Sequence, residues 1–119
     1  MKDAYFYEAL VQRVVDGDTY DLVVDFGFNL SGLQRFRLSL VDTPETWRPK
    51  SEAERLHGEQ ATKFVKDLIE GKTILLQTFK GDRIGIYGRY TCEIFVGETR
   101  KKLSDLLIEN KLTKREVYV

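Results

Sequence analysis

The chain has 119 residues, of which 42% are hydrophobic and 12% aromatic, and its 19 basic and 19 acidic side chains give no net charge. This length and apolar content predict one folded domain over residues 1–119 and exclude a disordered chain. No run approaches the roughly 20 apolar residues that cross a bilayer, and the first ten residues lack the apolar centre of a secretory signal, so we expect an intracellular protein without membrane association. Zero net charge argues against a broad electrostatic surface for polyanions, so we expect particular arginines and lysines to meet any such partner locally.

The first part of the chain has the pattern of a β-hairpin. Two runs rich in aromatic and β-branched side chains, residues 5–15 and 18–26, flank the dipeptide Asp16-Gly17. The second run largely alternates between apolar and polar side chains, which is typical of a half-buried strand. Asp-Gly between two such runs is a strong hairpin signal, so we expect the two strands to pair.

A third strand is predicted over residues 35–41, after a longer turn at residues 27–32. Its alternating Phe36, Leu38 and Leu40 are expected to face the core. Arg37 lies among these apolar residues, and a guanidinium in such surroundings is costly unless it is paired. The strand therefore predicts a partnered arginine near its end.

An amphipathic helix is predicted after the third strand. Its apolar positions recur with helical spacing and form one stripe: Ala61, Phe64, Val65, Leu68 and Ile69. Gly71 is placed for a left-handed C-terminal cap. Ser51 and Glu54 could form a capping box that starts the helix early, or His57-Gly58 could interrupt it, and the sequence leaves both open.

Two more strands, over residues 73–79 and 89–96, and a short helix from Leu103 to about Asn110 complete the predicted order. Five short strands with helices packed against them indicate a small α+β fold, mostly β, around a closed or partly closed barrel.

Two turns bear carboxylates, one at Asp16-Gly17-Asp18 and the other at Asp42-Thr43-Pro44-Glu45. If the first three strands form a meander, the second strand begins beside the end of the third, and Asp18 and Asp42 converge at one rim of the sheet. Carboxylates with a backbone carbonyl make an all-oxygen site, which suits Ca²⁺ or Mg²⁺ better than zinc. The alternative interpretation is ordinary turn chemistry at both places.

Two arginines have chemistry suited to a phosphate. Arg37 lies five residues before Asp42, and a planar guanidinium near a cation and a carboxylate can bind a phosphate through two hydrogen bonds. Arg89 opens a predicted strand and follows Tyr87, whose ring could stack on a base. The alternative for Arg89 is a solvated turn residue.

Three other residues have structural interpretations. We expect His57 to be a packing or surface residue of the helix rather than a catalytic base. Trp47 is predicted to anchor its loop, and the alternative for Trp47 and the adjacent Arg48 is contact with a substrate. Cys92 is predicted to be a small buried side chain within a strand.

Four motifs occur in the order and spacing of one family: Asp16-Gly17-Asp18-Thr19, Phe36-Arg37-Leu38, the run from Val41 to Thr46, and Tyr87-Gly88-Arg89. With them the chain closely resembles the staphylococcal nuclease-like (thermonuclease) family over nearly its whole length. The resemblance implies a five-stranded OB-fold barrel with two or three short helices, which bears a metal-dependent phosphodiesterase site.

The resemblance also implies a metal site and a base. Asp18, Asp42 and the main-chain carbonyl of Thr43 would bind one Ca²⁺ ion, with Mg²⁺ or another divalent ion less expected. Asp16 would be a further carboxylate near the metal. Glu45 would act as general base on the attacking water, or orient it.

The remaining matches concern the substrate. Arg37 and Arg89 would hold the scissile phosphate, and Tyr87 would lie beside the bound nucleotide, as would Tyr118 near the end of the chain. Residues 83–86 lack the acidic-basic pair that the family's best-known secreted member has before this tyrosine. Contacts to the nucleotide are therefore expected to differ there.

The predicted function is a Ca²⁺-dependent, sugar-non-specific endonuclease that hydrolyses DNA and RNA as a monomer. The alternative is a catalytically weak nuclease-like OB-fold module that binds nucleic acid or a protein partner. Such modules lose site residues, and this chain has the full set of Asp18, Arg37, Asp42, Glu45 and Arg89.

Overall fold

The computed structural model describes residues 4–79 and 90–118 of the chain. The elements within these residues are β1 (Ala4–Asp16), β2 (Thr19–Gly27), β3 (Leu30–Leu38), α1 (Glu52–Ile69), β4 (Thr73–Phe79), β5 (Tyr90–Val96), β6 (Lys101–Lys102) and α2 (Leu103–Glu109). The predicted order of three strands, a helix, two strands and a helix is confirmed, with the two-residue β6 added. Over the same residues, neither helix is long and apolar enough to cross a bilayer.

Five strands close into a barrel. Neighbours follow the order β3, β2, β1, β4, β5, and β3 also pairs with β5, so the sheet has no gap between its first and fifth strand. The β3–β5 pairing is parallel, with Phe36 opposite Tyr90, and the other pairings are antiparallel. This mostly β barrel with helices packed on it confirms the predicted fold class.

The core fills the barrel and continues beneath both helices. Alternate residues of each strand point inward, as the two-residue period of a strand requires. Fully buried apolar side chains include Val11, Tyr20, Leu22, Leu38, Val65, Ile69, Leu76, Ile94, Leu103 and Leu107, and Cys92 is buried with them. Leu40, expected in the core, is 67% exposed, because β3 ends at Leu38 and the chain bends at once.

The two hairpins differ in how well the sequence predicts them. Asp16 pairs with Thr19, so the hairpin at Asp16-Gly17 is confirmed. The prediction of a longer turn over residues 27–32 is wrong. Strand β2 continues to Gly27 and β3 begins at Leu30, so only Phe28 and Asn29 form the turn. Both residues have positive φ, 57° and 61°, which fits the twist of a two-residue hairpin. Phenylalanine is unusual in that conformation, so the tight turn could not be predicted from these residues.

Helix α1 begins early and runs without interruption through His57 and Gly58. The Ser51 hydroxyl accepts a hydrogen bond from the Glu54 N–H at 3.2 Å, and a Glu54 carboxylate oxygen accepts one from the Lys50 N–H at 2.8 Å. These bonds occupy main-chain donors that the first turn of a helix leaves without partners. Gly71, with φ of 79°, follows the helix in the predicted left-handed conformation.

Candidate active site at the rim of the barrel

Strand pairing brings the two carboxylate-bearing turns together. Thr19 at the start of β2 is opposite Arg37 near the end of β3, and the Leu38 N–H donates to the Asp18 carbonyl at 2.9 Å. One carboxylate oxygen of Asp18 accepts a hydrogen bond from the Thr43 N–H at 3.0 Å. The predicted meander, and with it the convergence of the two turns, is confirmed.

Gly17 permits this close approach. A Cβ at this position would lie 2.7 Å from Cγ2 of Thr43 and 2.9 Å from its hydroxyl oxygen, distances at which no side chain fits. Thr43 itself is buried. The Asp-Gly dipeptide is therefore required here for packing between two turns as well as for the hairpin.

Arg37 lies between the two carboxylates. Its Nη2 atom forms a close ion pair with Asp42 and lies 3.9 Å from the Asp18 carboxylate. Its Nη1 atom is 3.5 Å from the Leu38 carbonyl. The Asp18 side chain is 12% exposed and that of Asp42 is 60% exposed, so the group is anchored on one side and open to solvent on the other. Arg37, which was predicted to need a charged partner, therefore has two, Asp18 and Asp42.

A third carboxyl group, that of Asp16, lies at the same rim. Asp16 accepts a hydrogen bond from the Asp18 N–H at 3.2 Å, and burial together with the neighbouring Asp18 raises the pKa of Asp16 to about 7. Two acidic groups in partly buried surroundings are costly to ionise together, which is the physical cause of the shift.

The chemistry of these donors fits a hard divalent cation. Asp18 and Asp42 supply carboxylate oxygens within ion-pair distance of one nitrogen, and the carboxyl group of Asp16 lies next to Asp18. In the described part of the chain, no three His, Cys, Asp or Glu side chains form a metal-binding group. A cation here would therefore be held by two carboxylates, with main-chain oxygen or water completing its coordination.

Glu45 is exposed on the loop that follows, three residues after Asp42. The loop is held against α1 through the buried carboxylate of Glu54. The Lys50 N–H, the Lys114 ammonium and the Glu45 N–H lower the pKa of Glu54. Glu54 therefore ties Lys50, at the end of this loop, to α1, a role that the sequence indicated only as a capping box.

Gly58 is the second point at which α1 meets this loop. A Cβ on Gly58 would lie 2.7 Å from the Pro44 carbonyl oxygen and 2.7 Å from Cγ2 of Thr46. A glycine inside a helix costs about 1 kcal/mol relative to alanine, and here it permits the loop to lie directly on the helix backbone.

Gly58→Ala is therefore expected to lower the free energy of unfolding by about 1–3 kcal/mol, although alanine favours helices, because the loop backbone must move to admit the methyl group. Gln60→Ala, at an exposed position two residues further along α1, is the control and should change stability by less than about 0.5 kcal/mol. Urea unfolding of both variants measures the difference. A Gly58→Ala protein more stable than the parent would show that the loop does not need this contact.

The last residues of the described chain form hydrogen bonds with the rim at Asp42 and with α1 at His57. The Lys114 N–H donates to the Asp42 carbonyl at 2.8 Å. His57, buried in α1, has Nε2 at 2.8 Å from the Lys111 carbonyl and Nδ1 at 2.8 Å from the Tyr118 hydroxyl. Because a carbonyl can only accept, Nε2 bears a hydrogen, and in the neutral ring Nδ1 accepts from Tyr118. The packing role expected for His57 is confirmed.

Tyr118 contacts protein with its hydroxyl group. That group also accepts a hydrogen bond from the Arg115 N–H at 3.1 Å, and the Tyr118 ring lies 5.6 Å from that of His57. Its place beside a bound nucleotide stays a prediction. Tyr87 and Arg89 lie outside the described residues, so their predicted roles are likewise untested.

Trp47 does not anchor its loop as expected. Its side chain is 78% exposed, and the Arg48 guanidinium lies over the ring with its Cζ atom 4.3 Å from the centroid. Glu54 and Gly58 hold the loop instead. The sequence could not indicate this, because both anchors belong to a helix that follows the loop.

The chain is similar in sequence to several known proteins over most of its length. Residues 35–118 match the family model described as staphylococcal nuclease homologue. The chain is 34% identical over 112 residues to the SPbeta prophage-derived endonuclease YokF of Bacillus subtilis (strain 168), covering 94% of this chain and 35% of YokF. It is 33% identical over 109 residues to endonuclease YncB of the same organism, covering 92% of this chain and 47% of YncB.

A third relative is the thermonuclease of Staphylococcus hyicus, which is 29% identical over 108 residues, covering 91% of this chain and 59% of the relative. The chain thus spans between about a third and three fifths of the length of these proteins.

Proposed function

The chain belongs to the staphylococcal nuclease family, and from this premise and the geometry of the barrel rim we propose that it is a Ca²⁺-dependent, sugar-non-specific endonuclease of DNA and RNA. The observation that supports the proposal most is Arg37 beside the carboxylates of Asp18 and Asp42. Hydrolysis of a phosphodiester builds negative charge on its nonbridging oxygens, and fixed positive charge stabilises that state. Relatives named endonuclease and thermonuclease add support.

The proposed cofactor is one Ca²⁺ ion, held by Asp18, Asp42 and the Thr43 carbonyl. When bound, it would supply positive charge next to the scissile phosphate and polarise its oxygens. Because these three residues offer few ligands, water must complete the coordination of the ion. The affinity of the protein for Ca²⁺ in the absence of nucleotide should therefore be low.

Arg37 is the proposed phosphate-binding residue. Its guanidinium stays protonated at any working pH, so it binds and stabilises charge but does not donate a proton. The Arg37 side chain is 30% exposed and its partner Asp42 is on the solvent side, so a phosphate can reach the guanidinium from outside the barrel. Arg89 is proposed as the second arginine on the same phosphate.

Glu45 is the proposed base. Its carboxylate is exposed at the start of a loop that α1 holds in place, so it can meet a water molecule next to the phosphate. In this proposal the Glu45 carboxylate accepts a proton from the attacking water or orients it. The proposed residues all belong to one chain, and we therefore propose a monomer as the active unit.

Removal of the metal tests this function. Plasmid and single-stranded DNA should be cleaved in Ca²⁺, and chelation with EGTA should lower the rate by at least about 100-fold, because much of the charge stabilisation is lost. Excess Ca²⁺ should restore cleavage. Asp42→Asn should raise the Ca²⁺ concentration needed, whereas Asp25→Asn, an exposed aspartate of β2 away from the rim, should not.

Full cleavage in EGTA, or cleavage with Zn²⁺ alone, would contradict the proposed cofactor. Binding of nucleic acid in Ca²⁺ with no cleavage would instead favour the nuclease-like binding module.

A further inference from the structure

Trp47 is the single tryptophan of the chain and lies on the surface, 78% exposed. A large aromatic side chain usually stabilises the folded state by burying apolar area. An exposed indole buries little, so it contributes little to folding stability. The residues around it are fixed by contacts with α1, through Thr46 against Gly58 and the Lys50 N–H on Glu54. The loop therefore holds an unburied ring on a supported backbone.

The neighbouring arginine gives the ring a second property. The Arg48 guanidinium lies 4.3 Å from the centroid of the indole, within the range of a cation–π interaction. The guanidinium covers one face of the ring, so a base can stack on the opposite face while the cation contacts a phosphate, a combination that binds single-stranded nucleic acid. Such a pair recognises any base, since every base has a π-face.

The position of this pair connects it with the site. Trp47 follows the proposed base Glu45 by two residues, which span at most about 7 Å of backbone. Both side chains are exposed on the same loop. A base attached next to a phosphate held by Arg37 is therefore within reach of the indole.

We propose that Trp47 is a nucleobase-stacking subsite for a nucleotide next to the scissile phosphate, with Arg48 contacting an adjoining phosphate. The inference rests on the proposed nuclease function and adds a residue that positions the substrate. Stacking on an indole needs a base that is free of its duplex neighbours, so the subsite acts on unpaired nucleotides.

The chain offers a direct readout, because Trp47 is its only tryptophan and its fluorescence reports on that ring alone when tyrosine is not excited. The experiment titrates the Glu45→Gln protein, which prevents turnover, in Ca²⁺ with oligothymidylate and with an abasic oligomer of equal length. Oligothymidylate should quench or shift the fluorescence, and the abasic oligomer, which has the same phosphates, should leave it nearly unchanged. Equal responses to both would overturn the proposal.

Variants then measure the contribution to affinity. In the same background, Trp47→Ala should weaken oligothymidylate binding by about 5- to 150-fold, and Trp47→Phe should restore most of it. The effect on an intact duplex should be smaller. Phe28→Ala is the matched control, because Phe28 is 96% exposed at the far end of β2 from the rim. Losses of equal size for Trp47→Ala and Phe28→Ala would contradict a specific subsite.

The two proposals fail in different ways. If the parent protein cleaves DNA but the Trp47 fluorescence does not distinguish oligothymidylate from the abasic oligomer, the stacking subsite is wrong and the nuclease remains. If the fluorescence does distinguish them and the parent cleaves nothing in Ca²⁺, the nuclease is wrong and the base-binding surface remains.

Discussion

Glu45→Gln is expected to lower the rate of DNA cleavage by about 10²–10⁴-fold, the range for loss of a general base. Glutamine keeps the shape of the side chain and removes the charge that accepts a proton from the attacking water. Glu45 is exposed on a loop that Glu54 and Gly58 hold in place, so the substitution should not disturb the fold. Affinity for nucleic acid should remain nearly intact, because in the proposed mechanism this carboxylate acts on water and not on the phosphate.

The control for Glu45→Gln is Glu98→Gln, an exposed carboxylate in the turn after β5. It changes the net charge of the protein by the same amount and should leave cleavage unchanged. Steady-state cleavage of single-stranded DNA and a separate binding titration in Ca²⁺ measure the two effects. Equal activity of the two variants would remove Glu45 from the mechanism.

Arg37→Ala should lower cleavage by at least about 10²–10³-fold, by analogy with removal of one fixed donor to developing charge. It should also weaken nucleic-acid binding, since in the proposed mechanism the guanidinium contacts the phosphate before as well as during the reaction. Its loss leaves Asp18 and Asp42 without the cation that now neutralises them, so stability must be measured alongside activity. Arg37→Lys keeps the charge but not the planar fork, and should recover only part of the loss.

Arg35 is a matched control for Arg37. It lies two residues earlier on β3, and its Nε and Nη2 atoms donate to the two carboxylate oxygens of Asp21 at 2.7 and 3.1 Å. Arg35→Ala removes the same charge from the same strand without touching the rim carboxylates. A loss of activity as large as that of Arg37→Ala would show a general electrostatic effect and contradict a specific role of Arg37 at the phosphate.

Local signals in the sequence predicted the parts of the fold that depend on neighbouring residues. Asp16-Gly17 predicted a hairpin and Gly71 a helix end, and Ser51 with Glu54 indicated one of two possible helix starts, because each signal acts within one turn of chain. The convergence of Asp18 with Asp42 followed from the meander, since adjacent antiparallel strands fix which ends meet.

Contacts between distant segments could not be predicted in this way. His57 and Tyr118 are 61 residues apart, and nothing in either local sequence indicates their hydrogen bond. The burial of Glu54 beneath Lys114, and the glycine contact between α1 and Pro44, also depend on the completed fold. Trp47 was expected to anchor its loop, but its side chain is 78% exposed, because Glu54 and Gly58 of α1 already hold that loop.

The measurement that tests the central claim most directly is single-turnover cleavage of labelled single-stranded DNA in Ca²⁺, with protein in excess so that all DNA is bound. The parent protein should cleave the strand about 10²–10⁴-fold faster than the Glu45→Gln variant while both bind it equally well. If the parent binds the DNA but cleaves it no faster than Glu45→Gln, the rim of this barrel is a binding site and not an active site.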